Sequence, residues 1–132
     1  VIRVLIVVAV LASVGAATWW YQRRRAADVN RGAHDLDPVP AQYRHGVATW
    51  LIFTTPVCAS CTAVEAALRE AFPHHRVEKI DATEQPELAD RYNVRRAPTT
   101  LLADAAGTVI ERLVGPEAVR DFVGTSNLTA SA

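Results

Sequence analysis

From Val4 to Tyr21 the chain carries no charged residue. The 18 residues read VLIVVAVLASVGAATWWY. As a helix they would reach about 27 Å at ~1.5 Å per residue, close to the hydrocarbon thickness of a bilayer. Only Ser13 and Thr18 are polar, so the run offers no solvent face of the kind a buried helix in a small soluble domain needs. Trp19, Trp20 and Tyr21 close it as an interfacial aromatic belt does. Arg23, Arg24 and Arg25 follow and can snorkel to head groups. A cleaved signal peptide has a shorter apolar core, roughly 7–15 residues, with its charge in front. Here Arg3 precedes the run and three arginines follow it. Residues 1–25 are therefore expected to be a retained, single-pass transmembrane anchor. Arg23, Arg24, Arg25 and Arg31 on the carboxyl side outweigh Arg3, which by the positive-inside rule favours a cytoplasmic domain, with an extracytoplasmic one as the alternative.

The whole chain is 132 residues, so the part beyond the anchor is long enough for one small domain. Hydrophobic residues make up 50% and charged residues 21%, a composition that does not fit a disordered chain. Fourteen basic residues balance fourteen acidic ones. That excludes a bulk-electrostatic nucleic-acid binder, and no nucleic-acid partner is expected. The balance hides an asymmetry: residues 1–46 carry six arginines against three aspartates, and the excess of acid lies beyond them.

Residues 26–46 are polar, with Pro38 and Pro40 two apart, and read as an extended linker. The domain is expected over residues 47–124. Residues 47–53 (VATWLIF) read as a central strand buried on both faces. Residues 59–72 read as a helix, with Cys61, Val64, Leu68 and Phe72 at helical spacing and Pro73 as a stop. A strand over 76–81 and a helix over 84–92, with Pro86 in its first turn, come next. Residues 99–103 and 108–114 read as a hairpin around Asp104-Ala105-Ala106-Gly107. Residues 116–123 make a last helix, and 125–132 a flexible tail. The order β-α-β-α-β-β-α gives an α/β fold with a mixed sheet.

Cys58-Ala59-Ser60-Cys61 stands at the junction of the buried strand and the first domain helix. Free backbone N–H groups and the macrodipole at a helix start favour an anion. Cys58, at the mouth, should be the nucleophile with a depressed pKa. Cys61, expected one turn in, should be more buried and close enough to resolve a mixed disulfide. Other readings of the pair stay open. A zinc site needs further ligands, and His74 and His75 lie beyond the far end of the same helix. A structural disulfide over a two-residue gap closes almost no loop. Two inert core cysteines are the remaining alternative.

The stretch Thr54-Thr55-Pro56-Val57-Cys58-Ala59-Ser60-Cys61, with Val94-Arg95-Arg96-Ala97-Pro98-Thr99 downstream, resembles the thioredoxin family. Asp81 through Tyr92, with Pro86, and Gly115 resemble further segments of it. The resemblance covers about residues 47–124 and implies a thioredoxin-like fold. It implies that Pro98 is the family's cis-proline, and that Ala97, Pro98 and Thr99 form a substrate-binding platform facing the cysteines. An X–Pro bond is the one kind that takes cis at modest cost. Three positions depart from the family pattern. Val57 stands where a Trp is usual, and Ala59-Ser60 where Gly-Pro is usual. Ile52 replaces the buried Asp that helps deprotonate the second cysteine. Lys79, the only lysine, matches the family's buried lysine and is a candidate to tune the dithiol without an Asp partner. Arg95 and Arg96 precede the platform and would favour acidic partners. Little room remains before Val47 for the family's first strand and helix, so a reduced fold is expected.

The expected function is that of a membrane-tethered thiol–disulfide oxidoreductase acting as a reductant, with Cys58, Cys61 and Lys79 as its catalytic residues. Its partners would be protein disulfide substrates and a reductase or small-thiol electron donor, with no cofactor or metal. The alternative is a redox-inactive thioredoxin-fold binding or assembly module on the same tether. A metal carrier using the two thiolates is a third possibility, but it needs a further ligand that the sequence does not offer.

Overall fold

The computed structural model of the chain describes residues 1–31, 33 and 35–130. Gly32 and His34 of the expected linker and Ser131 and Ala132 of the expected tail lie outside them.

Helix α1 runs Ile2–Arg31. Its apolar side chains from Ile2 to Tyr21 are exposed, Trp19 and Trp20 by more than half. The Arg23 guanidinium lies 4.5 Å from the centre of the Trp19 ring. The segment Ile2–Arg23 is long and apolar enough to cross a membrane. The helix passes beyond residue 25, where a linker was expected to begin, because neither Gly nor Pro interrupts residues 22–31.

The domain is built on β1 (Thr49–Thr54), β2 (Arg76–Asp81), β3 (Thr99–Ala103) and β4 (Val109–Val114), in the order β2-β1-β3-β4. β1 pairs parallel with β2 and antiparallel with β3, and β4 closes the hairpin with β3. β1 is central, and Trp50, Leu51, Ile52 and Phe53 are all fully buried, which is why that stretch is continuously apolar rather than alternating. Helices α2 (Cys61–Ala71), α3 (Pro86–Arg91) and α4 (Pro116–Ala130) complete the order expected from the pattern. Here α4 continues through the region expected to be a loose tail.

Period-two alternation divides the core. Trp50, Ile52, Val77, Leu102 and Leu113 face Val64 and Leu68 of α2 and Val119 of α4. Trp50 meets Phe72 at 5.3 Å and Phe122 edge-on at 5.6 Å. On the other face, Leu51, Phe53, Ile80 and Leu101 meet Leu88, Ala89 and Tyr92, and with them Val39 from the expected linker.

That linker segment is part of the domain. Among the described residues no strand precedes β1; residues 35–46 instead form a strap, with one 3₁₀ turn at Ala41–Tyr43. Val39 is fully buried and its N–H donates to the Gly107 carbonyl at 2.8 Å. The Tyr92 hydroxyl donates to the Pro38 carbonyl at 3.1 Å, and the Tyr43 hydroxyl to Gln85 Oε1 at 3.0 Å. Pro38 and Pro40 hold φ and lack donors, so the strap stays extended while Val39 between them contributes one side chain and one N–H.

Candidate active site

The cysteines sit where β1 gives way to α2. After Thr54 the chain turns through Thr55-Pro56-Val57, and the Cys58 N–H donates to the Thr55 carbonyl at 3.0 Å. Ser60 is the N-cap residue of α2 and makes no side-chain cap. Cys61 is the first residue of the helix rather than one turn in, and Cys58 stands ahead of the helix mouth. Both sulfurs therefore lie at the end where backbone donors are unpaired and the helix field favours a thiolate. Cys58 and Cys61 are joined in a disulfide, with Cα atoms 5.6 Å apart. Cys61 is buried and Cys58 is partly exposed, the order expected of a resolving and an attacking sulfur. Val57 beside Cys58 is 90% exposed, an apolar side chain presented to solvent at the edge of the disulfide.

The three residues expected to form a platform come to the same end of the sheet. Thr99, the first residue of β3, is opposite Phe53 near the end of β1. The Ala97–Pro98 peptide bond is cis. The Pro98 carbonyl accepts from the Gly115 N–H at 2.8 Å, where Gly115 has φ +88° and lets β4 turn into α4. The Thr99 hydroxyl donates to the Arg96 carbonyl at 2.6 Å. Pro98 and Thr99 are buried, Ala97 is half-buried, and Arg95 and Arg96 are exposed. Arg95 contacts the Asn93 side chain and pairs with Asp90 at 3.6 Å.

Lys79 lies beside Ile52 in the β1–β2 register, on the face covered by α2. Its side chain is half exposed, and its ammonium pairs with Glu65 Oε2 at 3.0 Å. Glu65 lies on α2 four residues after Cys61 and also accepts from Arg69. The hydrogen bond from Lys79 is the main reason the Glu65 carboxyl is held below the ordinary range, with Arg69 adding to it against the cost of burial. Sequence reasoning did not single out Glu65. Its one signal is the i, i+4 spacing from Cys61. Asp81, at the end of β2, is lowered chiefly by hydrogen bonds from Thr83. Among the described residues, no group of three or more His, Cys, Asp or Glu side chains assembles that would hold a metal.

A mixed four-stranded sheet, a cysteine pair at the strand-to-helix turn and a cis-proline loop at the same end define the class of thioredoxin-fold domains. The thioredoxin family model matches residues 42–125. This chain belongs to the thioredoxin family. It is 37% identical over 71 residues to thioredoxin-2 of Pyricularia oryzae. That match takes in 52% of this chain and 37% of the relative, so the chain spans little more than a third of that protein. Among solved structures, mitochondrial thioredoxin 3 of Saccharomyces cerevisiae in its oxidized form is similar, with TM-score 0.51 and 22% identity. That likeness covers 64% of this chain and 83% of the yeast chain. Fasciola hepatica thioredoxin has TM-score 0.51 and 20% identity, covering 64% and 86% of the two chains. At these identities the structural likeness speaks for the fold.

Proposed function

We propose that this protein is a membrane-tethered thiol–disulfide oxidoreductase acting on protein disulfides. The observation that carries the reading is the Cys58–Cys61 disulfide at the mouth of α2, at the same end of the sheet as cis-Pro98. In the reduced form, the Cys58 thiolate attacks a substrate disulfide and releases one substrate thiol. Cys61 then attacks the Cys58 sulfur and releases the second. The chain is left with the Cys58–Cys61 disulfide, two electrons having passed to the substrate. Ala97, Pro98 and Thr99 form the platform on which the substrate strand lies. Lys79, with Glu65, tunes the charge behind Cys61. The electron donor is a reductase or a small thiol. In this reading the helix Ile2–Arg31 is the anchor, and the excess of arginine after its apolar run supports a cytoplasmic domain, where the reducing poise would make it a reductant.

One observation favours a second reading, a binding module with an idle dithiol. Ile52 is fully buried where the family carries the carboxylate that helps deprotonate the second cysteine. Redox titration of the full chain against a glutathione series separates the two. A reversible two-electron couple, lost in Cys58→Ser and Cys61→Ser, supports the oxidoreductase; a folded protein without one leaves the binding module.

A further inference from the structure

Three chain segments meet at the dithiol end of the sheet. The turn Thr55–Cys58 follows β1, residues 93–98 lead into β3, and Gly115 follows β4 with its N–H on the Pro98 carbonyl. Thr99 opens β3 opposite Phe53, so the cysteine turn and the cis-Pro98 segment adjoin neighbouring strands, which lie about 4.8 Å apart.

The approach to cis-Pro98 is held at both ends. The Val94 N–H donates to the Ala89 carbonyl at 2.8 Å, and Arg112 Nη2 to the Asn93 carbonyl at 2.9 Å. Further along, the Arg96 carbonyl takes the Thr99 hydroxyl. The backbone of Arg96 is therefore fixed before a substrate arrives, which keeps the ordering cost of binding there low.

The two arginines on this segment differ in their surroundings. Arg95 Nε donates to Asn93 Oδ1 at 3.0 Å, and its Nη1 lies 3.6 Å from Asp90. Arg96 is exposed, and among the described residues no side chain pairs with it. Glu117, which lies over Gly115, does not reach it. Across residues 55–61 and 96–99, Arg96 is the only charged residue. The exposed side chains beside Cys58 are Pro56, Val57 and Ala59, all apolar. Val57 offers far less contact area than the tryptophan usual at that position, so apolar burial contributes less to holding a substrate and charge contributes more.

Resting on the oxidoreductase reading, we infer that Arg96 selects substrates for the dithiol, and that the protein prefers disulfides whose attacked cysteine has a carboxylate within about two residues of it along the chain. The Arg96 guanidinium pairs with that carboxylate while the substrate strand lies on Ala97, Pro98 and Thr99. The reaction itself is unchanged. Two electrons and two protons pass from the Cys58–Cys61 dithiol to the substrate disulfide, which leaves as two thiols. The ion pair speeds the first attack by holding the substrate disulfide beside Cys58.

The experiment uses the full chain in uncharged maltoside micelles, reduced beforehand and freed of excess thiol. The probes are short peptides with one central cysteine joined by a disulfide to a thiol dye. They carry Glu, Gln or Lys either two residues before or two residues after that cysteine. Release of the dye is followed over a single turnover. Each rate is divided by the rate with dithiothreitol, which removes differences in the peptides' own reactivity. At one of the two positions the Glu peptide should react about fivefold faster than the Gln peptide at low salt, and the Lys peptide more slowly than both. High salt should bring the ratios toward one, because an exposed pair is screened. Arg96→Gln should abolish the Glu preference and Arg96→Glu should turn it toward Lys, whereas Arg95→Gln should retain it. Equal rates for the Glu and Gln peptides in the unaltered chain overturn the inference, as does a Glu preference that survives Arg96→Gln. A chain that reduces none of the peptides, while dithiothreitol reduces them all, overturns the oxidoreductase reading instead.

Discussion

The backbone N–H of Val39 donates to the carbonyl of Gly107, joining the segment after the apolar helix to the turn of the distal hairpin. With the Tyr92–Pro38 and Tyr43–Gln85 hydrogen bonds, it makes residues 35–46 part of the fold. Val39 sits between two prolines and is fully buried against Leu51, Phe53, Tyr92 and Val109. The strap covers a sheet face that α3, only six residues long, cannot cover alone.

Val39→Ala should therefore lower the stability of the domain by about 2 kcal/mol, the cost of a buried branched side chain and the space it leaves. Gly107→Ala should destabilise as well, because Gly107 has φ +92° and an added Cβ would collide with the Arg44 side chain. Urea unfolding of the oxidised protein checks both. An unchanged midpoint in Val39→Ala would mean that the strap is not part of the cooperative unit.

After reduction, Cys58 should be alkylated by iodoacetamide well before Cys61, because it is the more exposed sulfur and stands at the helix mouth. Cys61→Ser should accumulate a mixed disulfide with a substrate protein, and Cys58→Ser should not. Mass spectrometry of the quenched adducts reads the order. Faster alkylation at Cys61 would reverse the assignment of attacking and resolving sulfurs.

Lys79→Met should shift the thiol titration of the reduced protein and let the Glu65 carboxyl rise toward its ordinary value. Since the folded-state pKa of Glu65 is depressed, the pair stabilises above the ordinary Glu value and loses that effect as pH falls through the folded one. With Lys79 half exposed, the stability at stake is below ~1 kcal/mol, so the thiol titration is the sharper readout. Thiol pKa values identical to those of the parent would remove Lys79 from the catalytic set.

His75 stacks on Phe72 at 5.1 Å, and its Nδ1 is buried with no hydrogen-bond partner. Burial, with His74 beside it, pushes its pKa below the ordinary imidazole value. In the window between that depressed value and about 6.5, the unfolded chain binds the extra proton, so stability falls on acidification. The loss of thermal stability between pH 7.5 and 5.5 should shrink in His75→Phe. A slope identical to the parent's would place the acid sensitivity elsewhere.

Much of the fold is written locally. The apolar run 47–53, the i, i+3, i+4 spacing from Cys61 to Leu68 and the Asp104–Gly107 turn each depend on neighbours in sequence, so β-α-β-α-β-β-α could be read directly. Within the site, the strand-to-helix placement of Cys58 and Cys61 came from the same local signals, and cis-Pro98 from a resemblance. Element ends were less legible. Helix α4 continues to Ala130, and Phe122 packs on Trp50 from another element. Fixing the last helix against the sheet supports turns that propensity alone leaves marginal.

The sequence by itself determined the apolar helix, the central strand and the cysteine pair at a helix mouth, because periodicity and spacing are properties of adjacent residues. Only the tertiary structure decided that a polar, proline-bearing stretch is a strap and that Glu65 takes Lys79. Each of these depends on which distant group lies across a packed interface. Val39 finds Gly107, and Lys79 finds Glu65, only after the sheet and helices have brought them together.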